Sequence, residues 1–309
     1  MLTLIRAGLS SSLQDAGRPG WRQYGISLGG VMDPPAMHTA NLLVGNAPDS
    51  AVVEITLGQF CVEFGRDGWF ALTGAGCHAQ LDGREVWTGW RTAVKQGQRL
   101  TLGLPRRGMR SYLAVDGGFA LQPVLGAYGT DLQAGFGGFA GRRLADGDRL
   151  PLGPARRFSR PAGVRQLLWG NRVRALPGPE YQEFSEESQH AFWRSAWRLD
   201  PQSNRMGYRL QGNRLERENS RDLLSHGLVP GVVQVPPAGQ PIVLLGDAQT
   251  TGGYPRIACV IEADLYHLAQ LRLGEPLHFV LCTLEEARRA STEQQRALQR
   301  MAWGLKHDD

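Results

Sequence analysis

The sequence predicts a mainly β fold with a few short helices, and three observations support that prediction. Short runs that are rich in β-branched residues, or that alternate between apolar and polar residues, recur along the 309-residue chain. The 40 glycines and 18 prolines are spread over the whole chain, as expected when many strands are joined by tight turns. Helical periodicity is confined to a few segments.

The strand pattern is clearest in four segments that are bounded by glycine: residues 52–57, 69–72, 99–102 and 109–115. A hairpin is expected where Asp82-Gly83 separates the runs 79–81 and 84–87. This dipeptide predicts a two-residue β-turn, because such turns need left-handed backbone conformations that Asp and Gly tolerate.

Four helices are expected. Asp33 followed by Pro34 predicts the start of the first helix, since aspartate caps helix N-termini and proline fits the first helical position. Apolar residues at helical spacing then follow until Gly45. The other helices are predicted at 186–194, 264–270 and 284–301. The last begins with a capping box formed by Thr283 and Glu286, and its polar composition predicts a solvated helix.

Residues 153–163 are rich in Pro, Ala, Arg and Gly, and they predict a linker. The linker would separate a β-rich N-terminal unit, 1–155, from a β-rich C-terminal unit, 164–288. Residues 289–309 would form a helical tail.

Composition and charge exclude several classes of protein. The net charge is +5, but arginine is interspersed with acidic residues, which argues against a nucleic-acid binder. This pattern is typical of a solvated surface, and affinity for an anionic substrate is the alternative. The first residues become polar too soon for a signal peptide, and no window of 18 apolar residues would span a membrane. A cytoplasmic protein without membrane association is expected.

No self-contained catalytic motif is present. Residues 135–140 (GFGGFA) match a dinucleotide-binding string but lack the strand and helix that must flank it, so we interpret them as a glycine-rich loop. The chain has no P-loop, and its only lysines are Lys95 and Lys306. Without an attachment lysine, bound biotin is not expected on this chain. The scattered cysteines and histidines predict no metal site.

Three polar segments punctuated by glycine are distinctive: 14–20 with 29–33, 203–210, and 234–240 with 246–255. Each combines Arg, Asp, Asn or Gln with glycines that let the backbone approach a ligand closely. A single segment of this kind could be a loop held by its own hydrogen bonds. Three of them in one chain favour polar groups that converge on a small-molecule site.

These segments resemble a known family. The strings 14–20 (QDAGRPG), 30–33 (GVMD), 40–46 (ANLLVGN) and 54–58 (EITLG) are similar to the N-terminal signature of the biotin-dependent carboxyltransferase / allophanate hydrolase subunit 2 family. The resemblance continues through 111–118 (SYLAVDGG), 203–210 (SNRMGYRL), 231–241 and 247–255 (DAQTTGGYP). It covers residues 8–288. One departure is 127–130 (AYGT), where members more often have a serine-rich string.

The resemblance implies a fold and an activity. Members of the family include the C subunit of 5-oxoprolinase (PxpC), the KipA protein and a domain of urea carboxylase. The implied architecture is a cyclophilin-like β-barrel, expected here as two β-rich units, without prolyl isomerase activity. The implied function is that of the C subunit in a heteromeric, ATP-dependent 5-oxoprolinase that converts 5-oxoproline to glutamate. Its partners would be a homologue of the PxpB/KipI-like B subunit, with which ATP and Mg²⁺ would be shared, and the lactam-hydrolase A subunit.

Two alternatives stay open at this stage. The chain could be a carboxyltransferase component that acts on urea or a related amide, with biotin carried on another chain. It could also be a KipA-like regulatory protein that binds a partner without turnover.

The implied site residues lie in the three polar segments. An amide substrate needs both donors and acceptors, which Gln, Asn and Asp supply, and a substrate carboxylate calls for a bidentate guanidinium. Catalytic roles are expected for two acid/base candidates, Asp15 and Asp247, and for two carboxylate-binding candidates, Arg18 and Arg205. Substrate contacts are expected from Gln14, Asn204, Tyr208, Gln234, Gln249, Thr250, Thr251, Gly252, Gly253 and Tyr254.

Overall fold

The computed structural model describes residues 1–218 and 222–306, and the chain divides into two compact units. Unit 1 comprises Met1–Arg18, Gly29–Leu168 and the chain from Gln295 onward. Unit 2 comprises Pro19–Leu28 and Trp169–Gln294. In both units strands outnumber helices among the described residues, so the predicted mainly β fold with few helices is confirmed.

Unit 1 is built around a ten-stranded sheet, one helix near the N-terminus and the C-terminal part of the last helix. Its elements are β1 (Leu2–Arg6), β2 (Ser10–Gln14), α1 (Pro34–Leu43), β3 (Val52–Thr56), β4 (Phe60–Phe64), β5 (Gly68–Leu81), β6 (Arg84–Val86), β7 (Trp90–Val94), β8 (Arg99–Val115), β9 (Arg149–Leu150) and β10 (Ala162–Gly163). The main path of the sheet is β10-β7-β5-β8-β4-β1-β9. Strand β3 pairs with both β2 and β8, and β6 pairs with β5.

The core of unit 1 follows from the alternation of its strands. In β4 every second side chain is buried, and Phe60, Val62 and Phe64 pack into one apolar cluster with residues of β1, β5 and β8. Helix α1 contributes Met37 and Leu43 to a second cluster on β3, β5 and β8. These two clusters cover both faces of the end of β8, where residues 111–115 are buried at every position.

One strand is longer than the sequence indicates. The runs 99–102 and 109–115, which are bounded by glycine, are expected from the sequence as separate strands, but they form the single 17-residue strand β8. Pro105 lies opposite Cys77 of β5, where the pairing register shifts repeatedly between Gly74 and Ala79. These irregularities absorb a residue that cannot donate a backbone hydrogen bond, so the strand continues past it.

Unit 2 contains a closed seven-stranded barrel. The strands of this unit are β11 (Arg172–Pro177), β12 (Trp197–Leu199), β13 (Gly207–Gln211), β14 (His226–Gly227), β15 (Val232–Gln234), β16 (Ile242–Leu244), β17 (Thr251–Gly252), β18 (Arg256–Val260) and β19 (Pro276–Leu281). The barrel order is β11-β18-β15-β16-β13-β12-β19, closed by the parallel pair β11 and β19. Strands β14 and β17 form a separate two-stranded ribbon.

The other helices are α2 (Glu186–Arg194), α3 (Leu265–Ala269) and α4 (Leu284–Lys306), and short 3₁₀ turns occur at Arg22–Tyr24, Tyr181–Glu183 and Glu262–Asp264. All four predicted helices are therefore present. The expected caps are also confirmed. Asp33 accepts a hydrogen bond from the Ala36 amide at 3.0 Å, and Thr283 and Glu286 bond reciprocally.

Helix α4 is not wholly solvated, because Ala290 and Leu305 are buried in apolar clusters. It is 23 residues long but strongly polar. In the part of the chain that the structure describes, no helix combines the length and the apolar character needed to cross a membrane.

A buried histidine in unit 2 predicts a pH-dependent stability. His267 accepts a hydrogen bond from the Gly170 amide at its Nδ1, 2.9 Å away. Burial lowers the pKa of His267 below its ordinary value, and nearby Asp264 only partly opposes this. The unfolded chain therefore binds a proton at His267 more readily than the folded chain does. The stability from neutral His267 is complete above about pH 6.5 and is lost as the pH falls below it.

We therefore expect the free energy of unfolding, measured with urea, to fall between pH 7 and pH 5. The fall should be smaller in His267→Asn, which retains an acceptor near the position of Nδ1. The same substitution at His190, which lies on the surface of α2, serves as the control. An unchanged pH profile in His267→Asn would contradict the assignment.

Candidate functional site

The first polar segment is anchored within unit 1 by a loop more than a hundred residues later. Gln14 and Asp15 are almost completely buried at the end of β2. Asp15 accepts backbone hydrogen bonds from Gly17 at 2.9 Å and from Tyr128 at 2.5 Å, one on each carboxylate oxygen. The Gln14 side-chain amide donates to the Thr130 carbonyl at 3.1 Å. Both oxygens of Asp15 thus hold loop backbone, which supports a positioning role for the predicted acid/base residue.

Arg18 is fully buried and lies against the same loop. Its guanidinium donates to the carbonyls of Val124, at 3.4 Å, and of Gly129. The carbon at the centre of the guanidinium lies 4.7 Å from the centre of the Phe136 ring, a cation–π distance. The glycine-rich string 135–140, which the sequence indicates only as a loop, therefore packs on a predicted site residue.

The segment 29–33 runs beside residues 15–17 and is held by hydrogen bonds to Asp15 and Glu54. The Val31 amide donates to the Asp15 carbonyl at 2.8 Å. The carboxylate of Glu54, on β3, accepts from the Met32 amide at 2.7 Å and from the Tyr112 hydroxyl at 2.9 Å. Burial, followed by the charge of Glu54, raises the pKa of Tyr112 well above its ordinary value. Tyr112 is therefore a neutral donor to Glu54.

In unit 2, the second and third polar segments meet through an ion pair. The Arg205 guanidinium donates to both oxygens of Asp247, at 2.8 and 3.0 Å. Both side chains are largely shielded, with 14% and 6% of their areas exposed. The Asp247 amide also donates to the Arg205 carbonyl at 3.1 Å. This double link ties the turn after β16 to the turn before β13.

A second cluster in unit 2 brings together predicted residues from β15 and from the end of the ten-residue string 246–255. Gln234 is 2% exposed, and its side-chain amide donates to the Tyr254 carbonyl at 3.3 Å. The Thr250 carbonyl accepts from the Leu228 amide at 2.9 Å. A side chain at Gly252 would collide with Leu228, 2.8 Å away, which explains the glycine.

A cavity of about 640 Å³ lies beside this cluster within unit 2. The segments 214–217, 235–237 and 253–255 line it, together with Phe184, Asp222 and Leu223. Two predicted substrate-binding residues, Gly253 and Tyr254, line it. A volume of this size fits a small-molecule ligand.

The other predicted residues differ in exposure. Tyr208 is buried in β13, whereas Asn204, Gln249 and Thr251 are exposed. Asn204 accepts the Met206 amide at 2.8 Å, which shapes its own turn.

Two residues of unit 2 were missed by the sequence analysis. The Arg22 guanidinium donates to the Leu228 carbonyl, and burial lowers the pKa of Arg22. His226, on β14, donates from Nδ1 to the Leu224 carbonyl at 3.1 Å, and its Nε2 is buried without a hydrogen-bond partner among the described residues. Only the density of polar residues around the glycines of each segment could have indicated them. Within residues 1–218 and 222–306, no group of three or more His, Cys, Asp or Glu side chains could hold a metal ion.

Comparison with known proteins identifies the family. Residues 24–281 match the family model of the carboxyltransferase domain, subdomain A and B. This chain belongs to that carboxyltransferase-domain family. The resemblance found in the sequence motifs is thereby confirmed.

Relatives of this carboxyltransferase-domain chain match it over 93% or more of its length. It is 64% identical to the C subunit of 5-oxoprolinase from Escherichia coli strain K12, covering 100% of both chains. It is 43% identical to the C subunit of 5-oxoprolinase from Haemophilus influenzae strain Rd, covering 93% of both chains. Among solved structures, the urea amidolyase of K. lactis superposes with a TM-score of 0.91 at 26% identity. That match covers 97% of this chain but only 20% of the amidolyase.

Proposed function

We propose that this chain is the C subunit of a heteromeric, ATP-dependent 5-oxoprolinase, and that it binds and activates 5-oxoproline for hydrolysis to glutamate. The observation that carries the proposal is the 64% identity to the C subunit of E. coli 5-oxoprolinase across the whole of both chains. Substitution at about a third of positions, without loss of either end, is typical of proteins that keep one role.

The partners and the cofactor follow from the same proposal. The chain would act in the cytoplasm with a homologue of the B subunit and with the lactam-hydrolase A subunit. ATP and Mg²⁺ would be shared with the B subunit. Because Mg²⁺ in nucleotide sites is usually held by one or two carboxylates together with the phosphates, two subunits can share such a site.

Within the chain, the geometry supports a division of roles. Next to the cavity, Gln234, Thr250 and Tyr254 lie close to glycine backbone. Their polar groups include both donors and acceptors, which recognition of a lactam amide requires. Arg205 and Asp247 neutralise one another, so we assign them to positioning the turns that carry Asn204 and Gln249. Asp15 positions the loop around Arg18 in the same way.

The second candidate is a carboxyltransferase acting on urea or a related amide, with biotin on another chain. The observation that favours it is the close superposition on K. lactis urea amidolyase. The lower identity, 26% against 64%, places it behind the first proposal.

The test is ATP-dependent loss of 5-oxoproline, with glutamate as product, by the chain co-purified with homologues of the other two subunits. Turnover that requires all three chains and ATP is the expected result. An intact assembly that is silent with 5-oxoproline, but carboxylates urea with a biotinylated carrier, would establish the second candidate. Silence in both assays from an assembled complex would support a KipA-like regulatory role.

A further inference from the structure

We propose that Arg18 receives the carboxylate of the substrate, so that this chain selects a lactam that carries an acidic group over the same ring without one. The inference rests on the proposed function, which supplies 5-oxoproline as the substrate. It assigns to Arg18 alone a contact for which the sequence offered both Arg18 and Arg205.

The first argument is electrostatic. A guanidinium stays charged under all physiological conditions, and a buried charge is costly unless an opposite charge compensates it. Arg18 is 0% exposed. Its contacts are the carbonyls of Val124 and Gly129 and the face of the Phe136 ring. None of these groups carries a negative charge, so a bound anion would stabilise the site.

The second argument is an unsatisfied buried donor. Nη1 of Arg18 is buried and has no hydrogen-bond partner among the described residues. A buried donor without an acceptor is costly, and an acceptor atom of a ligand would satisfy it. Gly29 passes close to this donor, since a Cβ built on Gly29 would lie 3.3 Å from Nη1.

The third argument separates the two arginines. Arg205 makes two hydrogen bonds to Asp247, at 2.8 and 3.0 Å, which already satisfy the bidentate geometry that a carboxylate ligand would use. Capturing a substrate carboxylate there would require this pair to break. Arg18 needs no such exchange.

Two ligands of the proposed reaction carry suitable anionic oxygens: the carboxylate of 5-oxoproline and the phosphates of ATP. The experiment separates them with 2-pyrrolidinone, the same lactam ring without the carboxylate. In the complete wild-type assembly, the inhibition constant of 2-pyrrolidinone should be at least about 10-fold higher than the dissociation constant of 5-oxoproline. The loss of one charge-assisted contact is expected to change affinity by about 10- to 100-fold.

The variant Arg18→Lys keeps the charge but loses the planar fork. We expect its KM for 5-oxoproline to rise by about 10- to 100-fold. Inhibition by 2-pyrrolidinone and the KM for ATP should stay within a factor of about three of wild type. Arg66→Lys is the matched control in unit 1, because the Arg66 guanidinium is paired with Asp116 at 3.0 Å.

A second variant leaves Arg18 in place, in case Arg18→Lys does not fold. Gly29→Ala places a methyl group 3.3 Å from Nη1. It should raise the KM for 5-oxoproline and leave the inhibition constant of 2-pyrrolidinone unchanged. Gly29 has a φ of +65°, which strains any side chain, so the control must carry the same strain. Gly118→Ala meets this requirement, with a φ of +69° and open space around the added methyl group.

The outcomes distinguish this inference from the proposed function. A wild-type assembly that does not turn over 5-oxoproline would overturn the function. Turnover with an unchanged KM for 5-oxoproline in both Arg18→Lys and Gly29→Ala would overturn the inference alone. A rise confined to the KM for ATP would also overturn it, and would assign the anion site to phosphate.

Discussion

Replacing Arg205 with alanine is expected to lower the free energy of unfolding by about 3–5 kcal/mol, because it leaves a shielded carboxylate without its counter-charge. Asp247 is only 6% exposed and receives two hydrogen bonds from the lost guanidinium. The measurement is equilibrium unfolding in urea, which preserves ionic interactions that guanidinium salts would screen. Arg205→Ala should also lower the proposed activity of the folded assembly, because the turns that carry Asn204 and Gln249 lose the link that positions them.

The matched control removes both charges together. In the double variant Arg205→Met, Asp247→Leu, no charge is left unpaired, so the destabilisation should be clearly smaller than in Arg205→Ala. Equal destabilisation in the two variants would show that the ion pair is not the cause. A folded Arg205→Ala assembly with wild-type activity would contradict the positioning role.

Glu54→Ala is expected to destabilise the chain by about 3–5 kcal/mol, since it removes a buried charge together with its hydrogen-bond acceptors. Glu54 is 3% exposed, and its carboxylate holds the Met32 amide and the Tyr112 hydroxyl while lying 3.8 Å from Arg110. Because Met32 follows directly on the Gly29–Val31 backbone beside Arg18, the variant should also raise the KM for 5-oxoproline.

Two further variants test whether the buried contacts of Glu54 cause the loss of stability. Tyr112→Phe deletes one hydrogen bond and should cost about 1 kcal/mol. Glu63 lies on β4, the strand that follows β3 in the chain, and forms an ion pair with Arg99, which is 57% exposed. Glu63→Ala breaks this pair and should lower the free energy of unfolding by at most about 1 kcal/mol. If Glu54→Ala proves no more destabilising than Glu63→Ala, the buried network contributes little.

Local features of the fold could be predicted because the residues that cause them are neighbours in the chain. Asp82 and Gly83 both adopt positive φ, at 47° and 81°, and they form the expected turn between β5 and β6. The cap at Asp33 and the capping box before α4 likewise depend on contacts three residues apart. The single strand β8 escaped prediction because its continuity past Pro105 depends on irregular pairing with β5.

The candidate site was predicted in its residue types but not in its pairings. The sequence offered two carboxylates and two arginines as equivalent candidates. The structure pairs Arg205 with Asp247, engages Asp15 with backbone amides, and leaves Arg18 among neutral groups. The convergence of the three polar segments on one site stays a prediction.

The sequence by itself determined the mainly β class, the helix positions and the family, because periodicity, capping and motif strings are properties of short stretches of chain. Only the tertiary structure decided which polar groups neutralise one another. Tyr128 reaches Asp15 across 113 residues, and Gly129 reaches Arg18 across 111. Such partners are chosen by the pairing of distant strands and loops, and no local pattern encodes whether a charge will find its counter-charge or stay available for a ligand.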